Sequence, residues 1–186
     1  QTTGRALAGK DGGVRVEPAS LTKLMTAYAV FQALRDRKFA LDTEVPISER
    51  AWRAEGSRTF VNVGSRVPVE VLIQGMIVQS GNDATIALAE AVAGTEETFA
   101  ALMNQYGERL GMKDSHFENS TGLPGADHRM TVADIARLTR AIIREFPDYY
   151  RWYSQREFTW NGIRQPNRNG LLRRDPSVDG VKTGMT

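Results

Sequence analysis

The 186-residue chain has no cysteine, only two histidines and no long apolar run. Without cysteine there can be no disulfide, no thiolate nucleophile and no Cys-ligated zinc or iron–sulfur centre; the redox character of the compartment stays open. No stretch approaches the roughly 20 apolar residues of a membrane span. Charge of either sign is not in excess: 24 Lys+Arg face 22 Asp+Glu, and a net charge of +2 gives no general footing for nucleic acid. Several hydrolase signatures are also missing. There is no Gly-x-Ser-x-Gly elbow, no His-Glu-x-x-His and no phosphate-binding glycine loop after a strand. His116 and His128 lie in a polar region between helices, where a histidine usually makes a local hydrogen bond. A Ser-His-Asp triad or a histidine-rich metal site is therefore poorly supported.

What remains is an ordinary globular composition, 41% hydrophobic and 25% charged. The length suits one domain, or one domain and a fragment of another, and suffices to bury roughly 70% of the unfolded surface. The first sixteen residues, with apolar pieces at Leu7 and Val14–Val16, read as a strand pair turning at Lys10-Asp11-Gly12-Gly13. Leu21, Leu24, Met25, Tyr28, Phe31 and Leu34 repeat at steps of three and four and predict a helix from about 21 to 34. Short strands are expected near 45–47 and 59–63. Helices are expected over 69–78 and 83–92, interrupted by Gln79-Ser80-Gly81-Asn82. Thr95 caps a helix over 96–110, and Thr131 with Asp134 resembles a capping box opening another over 132–145. Asn161-Gly162 between 157–160 and 163–165 is a two-residue hairpin signal. Val181 opens a last apparent strand. Helices thus fill the middle and strands sit at both ends. That order predicts an α+β domain with one antiparallel sheet built from both chain ends and packed on the helices.

Three short elements carry candidate chemistry. Ser20-Leu21-Thr22-Lys23 places a hydroxyl and an amine one turn apart on a helix face. A serine needs a base within reach, and a lysine serves as one when burial or nearby positive charge lowers its pKa. Read alone, the same pair is equally an N-cap serine with a solvated lysine. Ser80-Gly81-Asn82 suits a tight turn that projects both polar side chains to one side, or a plain helix–helix connection. Lys182-Thr183-Gly184 offers a cation and a hydroxyl for a carboxylate, with Gly184 leaving room for another chain to lie alongside, or is an ordinary strand end. Between Arg151 and Arg174 six arginines stand against Glu157 alone. A solvated basic face is the expected reading, and a patch that attracts an anionic partner or a substrate carboxylate is the sharper one. Asn119-Ser120-Thr121 matches the glycosylation sequon, a match common by chance.

Taken together, the three elements match in order and spacing the active-site set of penicillin-binding proteins and serine β-lactamases. The surrounding segments extend the match. Glu17 to Thr26, Gln79 to Ala84, Asn161 to Ile163, Arg168 to Leu172 and Val178 to Gly184 resemble the serine-type D-Ala-D-Ala carboxypeptidases, the low-molecular-mass penicillin-binding proteins of peptidase S11 type. The resemblance implies a β-lactamase/transpeptidase-like fold. It implies that Ser20 attacks the carbonyl between two terminal D-alanines of a peptidoglycan stem peptide and that Lys23 takes its proton. Ser80 would pass a proton to the leaving amine, and Asn82 would hold the substrate amide. Lys182 and Thr183 would bind the terminal carboxylate, with Gly184 beside them. The backbone N–H groups of Ser20 and Met185 would hold the oxyanion.

Some relatives carry His or Thr where Met185 stands, which bears on rate and acyl-enzyme lifetime. The implied partners are D-Ala-D-Ala stem peptides and, as covalent inhibitors, β-lactams; no metal, cofactor or nucleic acid is implied. No Glu-x-x-Leu-Asn pattern is present, which argues against a class A β-lactamase. A D,D-endopeptidase, a transpeptidase and a non-catalytic β-lactam sensor or peptidoglycan-binding module are the alternative readings. The sequence stops two residues after Gly184, where family members continue with further sheet strands, often a β-rich second domain and an amphipathic anchor. Residues 1–186 are thus expected to be a partial catalytic domain of a periplasmic or extracytoplasmic protein, anchored only through segments absent from this chain.

Overall fold

The computed structural model describes residues 9–185. Leu7 and the first part of the expected N-terminal strand pair lie outside the described residues. The elements that follow are β1 (Arg15–Val16), a 3-10 turn (Ala19–Thr22), α1 (Lys23–Arg35), β2 (Glu44–Pro46), α2 (Glu49–Trp52), β3 (Arg66–Pro68), α3 (Val69–Gln74) and a π-helical turn (Gly75–Gln79). After them come α4 (Asn82–Ala93), α5 (Glu96–Arg109), β4 (Met130–Thr131), α6 (Val132–Glu145), α7 (Pro147–Tyr150), β5 (Glu157–Trp160), β6 (Ile163–Pro166) and α8 (Leu171–Arg174).

The class is α+β, with a helical middle. α1 is the axis of the core. Its spacing predicts one apolar face, yet every residue from Lys23 to Leu34 is buried. The small side chains Ala27, Ala29 and Ala33 let α4, α5 and α6 close around it, so no face is left for water. Its polar members each find a partner: Tyr28 Oη and Gln32 Nε2 donate to Glu145 Oε2 at 2.9 and 3.3 Å. At its far end Phe31 packs with Phe146, Tyr149 and Trp152, the last two rings stacked at 5.3 Å.

Three two-stranded antiparallel sheets are present among the described residues, pairing β1 with β4, β2 with β3 and β5 with β6. The hairpin turns as expected, with Asn161 and Gly162 both at positive φ (49° and 73°). Among the described residues the expected sheet joining both chain ends is not formed. β1 pairs with β4, Val16 opposite Met130, and the segment from Val181 to Met185 makes no strand pairing among the described residues. A strand exists only where a neighbour supplies ladder hydrogen bonds, and none of the described segments lies beside 181–185 in that way.

Three local differences have clear causes. The expected strand at 59–63 is a loop, because the N–H groups of Thr59, Phe60 and Val61 all donate to the carboxylate of buried Asp83 instead of to a ladder. The expected helix over 69–78 is α3 followed by the π-helical turn. Thr59 wedges against Gly75 and Gly81, where an added Cβ would lie 2.4 and 2.0 Å from its Oγ1. The capping box at α6 is half formed. Thr131 Oγ1 accepts from Asp134 N–H at 3.1 Å, but the Asp134 carboxylate accepts from Ser115 Oγ and Asp114 N–H rather than reaching back.

Candidate active site

Chain direction changes sharply just before α1. Ala19 has a φ of 46°, in the left-handed region, and Gly122 stacks directly on it: a Cβ there would lie 1.8 Å from the Ala19 carbonyl oxygen. This turn delivers Ser20 to the surface of a cleft while the helix behind it runs into the core. One turn on, Lys23 is 1% exposed. Its Nζ lies 3.1 Å from Ser20 Oγ and donates to the Thr121 carbonyl at 2.7 Å. Among the described residues no carboxylate bonds to it, so the desolvation of an ammonium is not offset by a counter-charge. Burial first, and the nearby Lys182 cation second, hold its pKa well below the ordinary lysine range. A neutral Lys23 presents a lone pair over the same 3.1 Å and can accept the Ser20 proton.

The carbonyl that faces Lys23 is itself held. Glu96 is buried at the start of α5 and accepts from both the N–H and the hydroxyl of Ser120, with Arg50 on its other oxygen. Thr26 Oγ1 donates to the Ser120 carbonyl at 2.6 Å. Asn119 Oδ1 accepts from the N–H groups of Thr121 and Gly122 at 3.2 and 2.8 Å. The Asn119-Ser120-Thr121 triplet therefore shapes the loop behind Ser20 and Lys23.

The second wall comes from the junction of the π-helical turn and α4. Ser80 stops the helix by adopting φ 65°, ψ 29°, an uncommon conformation for a residue with a side chain, and is 5% exposed. Gly81 follows at an ordinary φ of −62°, so it is space rather than backbone conformation that calls for glycine: Thr59 leaves no room for a Cβ. Asn82 Nδ2 donates to the Glu55 carbonyl at 2.6 Å, which fixes the amide orientation and leaves Oδ1 a buried acceptor without a partner among the described residues.

The third side is the 182–185 segment. Lys182 Nζ donates to Ser80 Oγ at 3.0 Å and to the Thr183 carbonyl at 2.9 Å. Burial, and then the Arg168 guanidinium, push its pKa down to about 7. Gly184 makes a close approach of a different kind from the one expected: a Cβ would lie 3.2 Å from the Pro18 carbonyl and 3.4 Å from Leu21, so its bareness lets this segment close on the Ser20 turn. Met185 is 92% exposed, its side chain in solvent.

All the sequence-predicted site residues meet at one cleft of about 540 Å³. Ser20, Ser80, Asn82, Thr183, Gly184 and Met185 line it. Lys23 and Lys182 stand behind the two serines, each bonded to one of them. The structure adds residues outside the three chemistry-bearing motifs: the Thr121 carbonyl, Ser57 and His128, all on the cleft wall. Arg168 is there too, its guanidinium 3.3 Å from Ser57 Oγ.

A hydroxyl backed by a low-pKa lysine, a second hydroxyl backed by another lysine, and an oriented amide acceptor between them are an arrangement chemically able to carry acyl transfer through a serine. The fold is that of the penicillin-binding proteins. The structure of penicillin-binding protein 5 from Haemophilus influenzae is 41% identical, with a TM-score of 0.95 over 98% of this chain and 54% of that one. The D-alanyl-D-alanine carboxypeptidase DacD from Francisella tularensis gives a TM-score of 0.97 at 35% identity, over 99% of this chain and 57% of that one. Escherichia coli (strain K12) D-alanyl-D-alanine carboxypeptidase DacA is 43% identical over 191 residues. The family model described as D-alanyl-D-alanine carboxypeptidase matches residues 1–186, and the chain belongs to that family. It spans about half the length of the curated relatives it matches, 99% of this chain aligning with 47% of the Escherichia coli protein.

Proposed function

We propose that residues 1–186 form the catalytic domain, in part, of a serine D-Ala-D-Ala carboxypeptidase that trims peptidoglycan stem peptides. The single observation that carries the reading is the pair of hydroxyl–amine couples, Ser20–Lys23 and Ser80–Lys182, facing one cleft. In this mechanism Ser20 Oγ bonds to the carbonyl carbon between the two D-alanines while its proton passes to neutral Lys23. The oxyanion lies between the Ser20 and Met185 N–H groups. Breaking the C–N bond needs a proton on the leaving amine. Ser80 Oγ delivers it and is recharged by Lys182, whose pKa of about 7 suits a group that must hold and release a proton near neutrality. Asn82 Oδ1, the acceptor without a partner, takes a substrate amide N–H. Lys182 and Thr183 hold the terminal carboxylate. Water then attacks the Ser20 ester, giving its proton through Ser80 to Lys182, while Lys23 returns its proton to Ser20 Oγ; the acyl C–O bond breaks, the shortened peptide leaves and both lysines are back in their starting states.

A β-lactam presents an acyl group and a carboxylate in the same relation and acylates Ser20. Such a substrate places the protein on the outer side of the bacterial cytoplasmic membrane. Among the described residues no helix is long and apolar enough to cross a membrane. The test is D-alanine release from an acylated D-Ala-D-Ala peptide by the protein carrying this chain. Release from that peptide but not from one ending in L-Ala is expected, and none with Ser20→Ala. A folded protein that takes up penicillin on Ser20 yet releases no D-alanine above the spontaneous rate would be a sensor, and the proposal would fall.

A further inference from the structure

One buried titratable group on the cleft wall has no part in the proton path above. His128 is 2% exposed. The Glu118 N–H donates to its Nδ1 at 3.1 Å. A backbone N–H can only donate, so Nδ1 carries no proton, and the neutral ring holds its proton on Nε2. Nε2–H then donates to Thr22 Oγ1 at 2.8 Å. Thr22 stands between Ser20 and Lys23, in the turn that opens α1. Glu118 opens the loop whose Thr121 carbonyl receives Lys23 and whose Gly122 presses on Ala19. One imidazole thus joins the nucleophile turn to the loop that aligns the base.

We infer that His128 is a positioning residue for acylation of Ser20: its neutral ring links the Glu118 end of the 118–128 loop to the Ser20 turn, and protonation at Nδ1 breaks the Glu118 half of that link. A proton added at Nδ1 would face the Glu118 N–H donor to donor, with no acceptor to replace it. The surroundings decide how readily this happens. The Glu118 carboxylate favours the charged ring; His116 and Arg129, the latter with Glu17 at 4.0 Å and bonded to the His128 carbonyl, oppose it. Asp127 faces His116 rather than His128. From α1 the neighbour is neutral Thr22, with Lys23 turned to Thr121, and the Phe117 ring packs edge-on at 5.9 Å. Burial is the largest influence and lowers the pKa. The Glu118 half of the link therefore holds at neutral pH and is lost as pH falls below the ordinary histidine range near 6.5.

The inference rests on the acyl-transfer reading, and the experiment separates the two. The second-order rate of acylation by a fluorescent penicillin is measured against pH on the wild-type protein. In parallel, the His128 ring is titrated by ¹⁵N NMR. An acid break in the acylation rate at the midpoint of the His128 titration, of about tenfold for one lost hydrogen bond, is expected. His128→Asn retains an acceptor for Glu118, and His128→Gln retains a donor for Thr22; neither titrates. Both are expected to acylate about tenfold more slowly at neutral pH and to lack the break. A purely structural histidine would lower their Tm and leave wild-type acylation indifferent to the ring titration. Acylation whose pH profile ignores the His128 midpoint overturns the inference alone. No acylation at any pH overturns it together with the reading beneath it.

Discussion

Replacing Asp83 with Asn removes one charge and almost no volume, and it strikes the group on which one wall of the cleft hangs. Asp83 is wholly buried. Its Oδ1 accepts from Thr59 and Ala84 N–H at 2.7 and 2.8 Å, and its Oδ2 from Phe60 and Val61 N–H at 2.9 and 3.3 Å. An amide keeps one acceptor oxygen. Whichever way it lies, an NH₂ then faces two backbone N–H donors. Bonds to a charged acceptor are worth about 1.5–3 kcal/mol each, so two lost bonds cost roughly 3–6 kcal/mol. Partial relaxation of the loop at exposed Phe60 favours the lower end. For a chain of this size 1 kcal/mol moves Tm by about 2–4 °C, so Asp83→Asn is expected to melt about 10 °C below wild type. Acylation should fall with it, because the same loop places Ser57, whose carbonyl accepts the Asn82 N–H at 2.7 Å. Circular dichroism melting and a labelled-penicillin time course at 25 °C measure both. A variant melting within about 2 °C of wild type would refute the claim that this carboxylate organises the loop.

Gly122→Ala is expected to reduce acylation about a hundredfold, the scale of a misplacement near 1 Å, because the new Cβ would lie 1.8 Å from the Ala19 carbonyl just before Ser20; a wild-type acylation rate contradicts that. Lys182 concerns stability against pH. Its folded pKa of about 7 is below its unfolded value, so between about pH 7 and 10 the unfolded chain binds more protons and stability rises with pH. Lys182→Met is expected to flatten that rise, leaving the part contributed by Lys23, as read from urea unfolding at pH 7 and pH 9. Equal pH slopes in variant and wild type would place the Lys182 titration elsewhere.

The candidate site residues, which the structure brings to one cleft, were legible because they sit in short motifs whose spacing has a local meaning. Three residues along a helix start suffices to put Lys23 over Ser20, and a serine and an asparagine around Gly81 suffice to mark a turn. Their supports were not legible, because each is a contact across a long stretch of chain. Nothing near Lys23 announces the Thr121 carbonyl, and nothing near Thr59 announces the Asp83 carboxylate that turns an expected strand into a loop. His128 was read as a locally bonded histidine; its partner Thr22 lies more than a hundred residues away. The 182–185 segment has the composition of a strand, but composition cannot supply the neighbour a strand needs. The motif suggests that Gly184 leaves room for another chain to lie alongside; it does not announce the approach of the Pro18 carbonyl that the structure shows there. The helices fared better because capping residues such as Thr95 act within one turn, its Oγ1 accepting the Thr98 N–H at 3.1 Å.

The most direct measurement is intact mass after exposure to a penicillin, with the adduct located by peptide mapping, on wild type and Ser20→Ala. One penicillin added per chain, on the peptide carrying Ser20, and no adduct on Ser20→Ala is the expected result. A folded wild-type protein that stays unmodified, or an adduct that persists in Ser20→Ala, would contradict the assignment of Ser20 as the acylated nucleophile.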